Sequence, residues 1–387
     1  MTYYRDHPHA PQTRTPLIDL IPDHHAYDLD VSDEEDDFYG KDDDFLLPAK
    51  WHEGIDQLPR RAKRSILAAL GFALLFLISW WAYFGPRRAA YLQDLEYMDN
   101  KQDMSYGHNV RPVFKDMIQV KDLDDEYLTT KGKRLVFVGD VHGCREELEH
   151  LLNKVEFRHK HDHLVLVGDL ITKGPDSPGV VNMVRQLGGS CVRGNWEDKL
   201  LLTIAGAQQM ASPSTDDDQP LNLVESSSHS KTEKKLLKLA KKLSRRDVVF
   251  LQQCPVILRV GHVPNLGNLV SVHAGLVPDT ALEKQDPVHV MNMRTIDLKT
   301  RIPSSKHDGT PWEKFWNHEQ KKLKEHERTT VIYGHNRKRG LNIQEYTKGL
   351  DTGCVTGGRL TALVVDDKGE TELVSVKCNK EHGYDED

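Results

Sequence analysis

The sequence predicts an α/β domain carried behind a single membrane-spanning helix, and three observations predict it. Five short apolar runs, rich in Val, Leu and Ile, recur between residues 134 and 333 as buried strands, and the leucines after residue 231 are spaced as in a helix. Each run stops at an Asp, Asn or His beside a glycine. Upstream, Ser65 to Phe84 is a stretch of 20 residues without one charge. The chain of 387 residues has room for one large domain of about 250–300 residues plus extensions.

From the N-terminus, residues 1–64 read as an acidic, disordered tail. Residues 1–59 hold fifteen Asp/Glu and four Lys/Arg, a balance of −11 within a whole-chain charge of −7, and such a segment cannot bury enough apolar surface to offset chain entropy. The remainder is +4 by difference, which excludes a general polybasic nucleic-acid protein. Residues 65–84 read as a transmembrane signal anchor: at about 1.5 Å per residue they cross a hydrocarbon core of roughly 30 Å. Trp80, Trp81 and Tyr83 lie at one end, where an aromatic belt belongs. Arg60, Arg61, Lys63 and Arg64 flank the N-terminal side, against Arg87 and Arg88 on the other. The positive-inside rule therefore puts the tail in the cytosol and residues 85–387 across the membrane, a type II topology. Residues 85–129 are expected to be a linker, 130–378 the main domain, 207–231 a mobile polar insertion and 379–387 a C-terminal tail.

After the insertion, "KTEKKLLKLAKKLSRR" spaces its leucines helically among eight Lys/Arg between residues 231 and 246. That pattern is an amphipathic helix with a basic face, read either as merely solvated or as a collar for an anionic substrate or membrane. Five cysteines (Cys144, Cys191, Cys254, Cys354, Cys378) are widely separated without a CxxC pair. They make neither a zinc finger nor a small disulfide framework, and their odd number leaves at least one thiol unpaired within the chain.

The five runs are "RLVFVGDVHGC", "HLVLVGDLITKGPDS", "CVRGNWED", "LVSVHAGL" and "TTVIYGHN". Turn chemistry favours Asn, Asp and Gly, but does not explain His at the ends of buried strands. In α/β layers ligands bind beyond the carboxyl ends of the strands, so Asp140, His142, Asp169, Asn195, His273 and His335 are expected to converge there. Carboxylate and amide oxygens mixed with imidazoles suit two divalent transition metals, with a shared Asp holding them about 3.5–4 Å apart.

In this order the motifs GDxHG, GDxxxKG, GN, HAGL and YGH resemble the calcineurin-like metallophosphatases, in the branch related to serine/threonine protein phosphatases, over about residues 133–365. The resemblance implies a β-sandwich flanked by helices. It implies that Asp140 and His142 bind a first metal, that Asp169 bridges, and that Asn195, His273 and His335 bind a second. Zn is the metal expected, with Mn, Co or Fe as substitutes. Lys173 stands where the family carries a phosphate-binding Arg, and Arg294 in "VMNMRTI" resembles its second phosphate clamp. Asp169, Lys173 and Arg294 are thus the catalytic candidates. Arg193, Arg337, Lys338 and Arg339 are further candidates for holding phosphates.

Two positions depart from the family. GNHE reads "GNWE", so Trp196 stands where a histidine general acid is usual, and its aspartate partner is replaced by Thr172. The anchor behind an acidic tail, "GDLITKGPDS" and "RGNWED" together resemble the fungal vacuolar endopolyphosphatases of this class. That implies cleavage of internal phosphoanhydride bonds of inorganic polyphosphate, by hydroxide attack at two metals, in or at the vacuole. The alternatives are a membrane-anchored serine/threonine protein phosphatase, a symmetrical dinucleoside tetraphosphatase, or a metal-binding scaffold without catalysis.

Overall fold

The structure, a computed structural model, describes residues 59–99, 117–128, 132–208 and 230–379. The acidic tail up to residue 58, the insertion from 209 to 229 and the C-terminal residues 380–387 lie outside the described residues. The chain divides into two units, Met1–Ala82 and Tyr83–Asp387. Helix α1 (Arg60–Asp99) contains the uncharged stretch, where mean hydropathy reaches 2.1 over an 18-residue window and no residue of that window is buried. It is long and apolar enough to cross a bilayer. The helix continues through Pro86 to Asp99, into the segment expected to be linker. Its last turns belong to the second unit and are held within it. Arg301 donates to the carbonyls of Tyr97 and Met98 at 2.9 and 3.2 Å. Lys314 pairs with Asp94 at 2.7 Å, and Lys322 pairs with Asp99 at 2.6 Å. Pairing and the burial of Met98 keep these residues helical where propensity alone would not.

Two sheets form the second unit. The strands are β1 (Val120–Asp122), β2 (Arg134–Val138), β3 (Asp162–Leu166), β4 (Ser190–Cys191), β5 (Ile257–Val263), β6 (Gly267–Val272), β7 (Thr295–Ile296), β8 (Pro303–Ser304), β9 (Thr310–Pro311), β10 (Thr329–Tyr333), β11 (Asn342–Ile343), β12 (Thr347–Gly349), β13 (Arg359–Val365) and β14 (Thr371–Lys377). One sheet runs β14-β13-β2-β3-β4 and the other β1-β5-β6-β10-β12-β11. β7 to β9 make a small third sheet. β2, β3 and β4 are parallel neighbours, with Val136 opposite Leu164 and Leu166 opposite Cys191. β6, β10 and β12 are parallel in the other sheet.

Alternation along each strand builds the layers. Leu135, Phe137 and Val165 meet Leu258, Val260, Leu269 and Ile332 between the sheets. Val136, Val138, Leu164 and Leu166 point outward under α2 (Arg145–Lys154), α3 (Ser177–Gln186) and α4 (Asn195–Gln208). α5 (Lys231–Ala240) and α6 (Arg245–Gln253) add Leu236, Leu237, Val248 and Leu251 to that layer. Past α7 (Pro287–Asn292), α8 (Trp312–Lys322) covers the opposite face with Trp312, Phe315 and Trp316 over Val270, Val272 and Val331. Both faces of both sheets are thus covered, which is why the strand sequences read as nearly continuous apolar runs. The product is the expected sandwich flanked by helices. Two disulfides, Cys191–Cys254 and Cys354–Cys378, cross it, and Cys144 is a buried free thiol.

Candidate metal centre

The six ligand candidates all follow strands whose carboxyl ends point the same way. Asp140 and His142 follow β2, Asp169 follows β3, Asn195 follows β4, His273 follows β6 and His335 follows β10. Parallel pairing within each sheet puts these ends on one edge. The loops that carry them are tight. His142, Asp169 and His335 sit at φ 48, 52 and 67°, and Thr172 and Lys173 at 70 and 61°, the left-handed region that costs an ordinary residue about 1 kcal/mol or more. At Gly334 an added Cβ would run into Asp140 Oδ1, and at Gly194 into the backbone N of Asp169, so these glycines are set by close approach.

Asp169 lies at the centre. Its Oδ2 is 3.4 Å from His142 Nε2 and its Oδ1 is 3.4 Å from His273 Nε2. Two ligand groups, Asp140/His142/Asp169 and Asp169/His273/His335, therefore share one carboxylate. Each imidazole has its outer nitrogen committed to a carbonyl. His142 Nδ1 donates to Ile171 O at 3.1 Å, His273 Nδ1 to Val167 O at 2.9 Å and His335 Nε2 to Asn292 O at 3.1 Å. A carbonyl can only accept, so the protons sit outside and the inner nitrogens present lone pairs, the orientation that metal-binding histidines need.

Asn195 turns its amide oxygen to within 3.1 Å of His273 Nε2; turned over, the amide would donate to that nitrogen and to both Asp169 oxygens at 3.2 and 3.3 Å. With the oxygen inward, Asn195 adds an acceptor to those of Asp169 and His273 that a bound cation would draw together. The local field is of the right sign. Burial opposes a positive charge at His273, but Asp169 and Asp140 favour one beside its inner nitrogen, the place a metal ion would take. Burial also opposes ionisation of Asp169, yet His273 and His142 hold it well below the usual carboxylate range. The donor set fits two divalent transition metals.

Two further residues complete the surroundings of the candidate ligands, Glu197, which the sequence offers only as a substitute proton donor, and Asp351, which it does not single out. Glu197 is wholly buried and accepts four backbone N–H groups: Leu170 and Ile171 on Oε1 at 2.9 and 3.2 Å, Asp169 and Gly194 on Oε2 at 2.8 and 2.9 Å. It ties the Asp169 loop to the Asn195 loop. Burial and Asp169 push its carboxyl up to about 7, opposed by the four donors. Asp351 is the other. It follows β12, is buried, and raises Asp140.

These groups open into a cavity of about 870 Å³. Lys173, Arg294, Arg337 and Lys338 line it. Lys173 Nζ is 3.1 Å from His142 Nε2 and 5.2 Å from the centre of the Trp196 ring. Arg294 donates to Ser305 O at 2.9 Å, while its Nε is buried without a hydrogen-bond partner among the described residues. Arg193 and Arg339 stand apart. Arg193 is buried, donates to the Gln252 carbonyl and faces Asp198 at 3.6 Å. Arg339 is drawn off by Glu313 at 2.5 Å. A basic residue next to a motif faces the cavity only if its own turn aims it there, which spacing did not reveal.

A two-layered α/β sandwich with ligands on one strand edge is the architecture of a metal-dependent phosphoesterase. Residues 133–358 match the family model for calcineurin-like phosphoesterases, and the chain belongs to that family, whose members use a dinuclear metal site. It is 28% identical over 282 residues to a zinc-dependent endopolyphosphatase of Saccharomyces cerevisiae, covering 66% of this chain and 84% of that one. It is 30% identical over 269 residues to a symmetrical bis(5'-nucleosyl)-tetraphosphatase of Vibrio parahaemolyticus, covering 60% and 95%. Among solved structures, that of a putative diadenosine tetraphosphatase matches with a TM-score of 0.51 and 32% identity over 67% of this chain and 97% of its own.

Proposed function

We propose that this protein is a membrane-anchored, zinc-dependent endopolyphosphatase, its domain in the vacuole lumen. One observation supports the substrate class: among the described residues the family's His–Asp acid pair is missing from its two positions. Trp196 and Thr172 line the cavity where the family keeps its acid pair, and Glu197, the nearest carboxyl in sequence, is spent on four backbone donors. An alkoxide leaving group is strongly basic and benefits greatly from a positioned acid. A phosphate chain leaves as a far weaker base.

Asp140, His142 and Asp169 would hold one metal, and Asp169, Asn195, His273 and His335 the other. When bound, the metals supply Lewis-acid activation of water and neutralise charge on the phosphoryl group. The chain's own residues do the rest. Arg294 offers a half-buried guanidinium to phosphate oxygens. Lys173, placed between His142 and the Trp196 face, offers a point charge. Arg337 and Lys338 add positive charge to the cavity wall, suited to offsetting the negative charge of a phosphate chain. The two disulfides support a lumenal domain, since such bonds persist in oxidising compartments.

A dinucleoside tetraphosphatase is the second reading, favoured by the match to the diadenosine tetraphosphatase structure; it too cleaves an anhydride. The test is kcat/KM for polyphosphate, dinucleoside tetraphosphate and a phosphoserine peptide, with turnover lost on chelation and regained with divalent metal. Polyphosphate should exceed the peptide by about a hundredfold, the usual worth of a general acid. Trp196→His/Thr172→Asp should gain mainly on the peptide. Comparable wild-type turnover of peptide and polyphosphate would overturn the acid argument, and preference for the tetraphosphate would favour the second reading.

A further inference from the structure

The basic helix after the insertion has no role in the chemistry above. α5 packs by Leu236, Leu237 and Ala240 into the layer that also holds Leu200, Leu201 and Ile204 of α4, and α4 starts at Asn195 itself. That packing turns Lys231, Lys235, Lys238 and Lys242 to the same cavity as the metal ligands. They are spaced i, i+4, i+7 and i+11, one face of a helical path about 16 Å long.

Such a face works against the fold. Like charges three and four residues apart destabilise a helix. Lys231, Lys234 and Lys235 also crowd the N-terminal turns, where the helix dipole is already positive. Glu233 is the single acid of the first turn, and it serves the capping box with Ser230. Among the described residues no carboxylate is paired with Lys235, Lys238 or Lys242. Apolar packing offsets the repulsion, and the uncompensated positive field is left aimed into a concave site.

We propose that Lys235, Lys238 and Lys242, with Lys231, form a track for the phosphates of a long polyanion beyond those at the metals, so that chain length sets affinity. This deepens the polyphosphate reading and rests on it. A polyphosphate chain continues past the scissile bond in both directions, whereas a dinucleoside tetraphosphate ends two phosphates away in a nucleoside. An anionic bilayer is a weaker occupant, because these lysines face a cavity shared with Asp140 and His335 and a flat surface does not enter one.

The test compares wild type with Lys235→Gln/Lys238→Gln/Lys242→Gln. A control changes the remote exposed lysines Lys121, Lys160 and Lys368 to Gln, matching the loss of net charge. On long-chain polyphosphate the track variant should raise KM roughly tenfold with kcat nearly unchanged, as expected for three exposed charge contacts. On tripolyphosphate the rise should stay within about twofold, the scale of a general field effect in salt. The metal-free protein should retain long-chain polyphosphate in a salt-sensitive way, and the track variant should lose that retention while the control keeps it. An equal KM change on long and short chains, or the same loss in the control, overturns the track. So does a variant with unchanged KM that no longer binds phosphatidylserine vesicles, which would make the face a membrane contact. Wild type that leaves polyphosphate intact overturns the polyphosphate reading itself, and is thereby told apart from failure of the track alone.

Discussion

Glu197 illustrates how one side chain organises the site without touching a substrate. Its two oxygens hold the N–H groups of residues 169 to 171 and of Gly194, fixing Asp169 in its left-handed backbone and setting it against Asn195. In Glu197→Gln one oxygen becomes an NH2 that faces two N–H donors, leaving buried groups in conflict. We expect a loss of about 3 kcal/mol or more in urea unfolding, with less metal retained per chain after dialysis. Full stability and full metal content in the variant would remove its positioning role. The convergence of the six candidate ligand positions is legible in the sequence because each lies beside a glycine at the end of an apolar run. Glu197 is not, since its task exists only when two loops 26 to 28 residues apart in sequence meet. Asp351 is hidden for another reason: the strand before it is Thr347–Gly349, three residues with no apolar run to mark it.

At the scale of elements, β2, β3, β6 and β10 read clearly because both faces are buried. Helix α1 reads less well past Phe84, because Lys314, Lys322 and Arg301, over 200 residues away, hold its last turns. β3 also carries a titratable group inward. His163 is buried, stacks on Tyr127 at 3.8 Å between centroids and meets Ser190 Oγ at 2.9 Å. Burial lowers it from 6.5 to about 4, with Asp124 opposing. Between those values the unfolded chain binds the proton that the folded one refuses, so stability rises with pH across the window and is lost as pH falls through it. The full effect is at most about 3 kcal/mol. Urea unfolding of wild type and His163→Gln from pH 7.5 to pH 4 should give curves that converge toward acid, the variant lacking about one proton of slope. Parallel curves would assign the acid sensitivity to other groups.

For the whole molecule, the question is which side of a membrane each part occupies. From Ser65 onward the first unit's helical residues are uncharged and apolar all round, Phe72 and Trp81 being 75 and 76% exposed, a pattern that suits a bilayer rather than a protein core. Arg87 lies 3.5 Å over the Tyr83 ring, an aromatic and cationic pairing expected at a membrane surface. Four basic residues precede the apolar stretch and two follow it closely, which favours a cytosolic N-terminus. The cysteines supply an independent argument. A domain in the cytosol would meet thiols that keep Cys191, Cys254, Cys354 and Cys378 reduced, whereas a lumenal domain keeps both pairs closed. The two arguments can be tested together in sealed vesicles with the cytosolic face outward. Added protease should remove the acidic tail and spare the fragment from residue 85 onward. Alkylation of that fragment after denaturation should modify one cysteine, Cys144, and after reduction all five. Digestion of the domain by external protease would reverse the orientation, and five alkylated cysteines without reductant would place it in a reducing compartment.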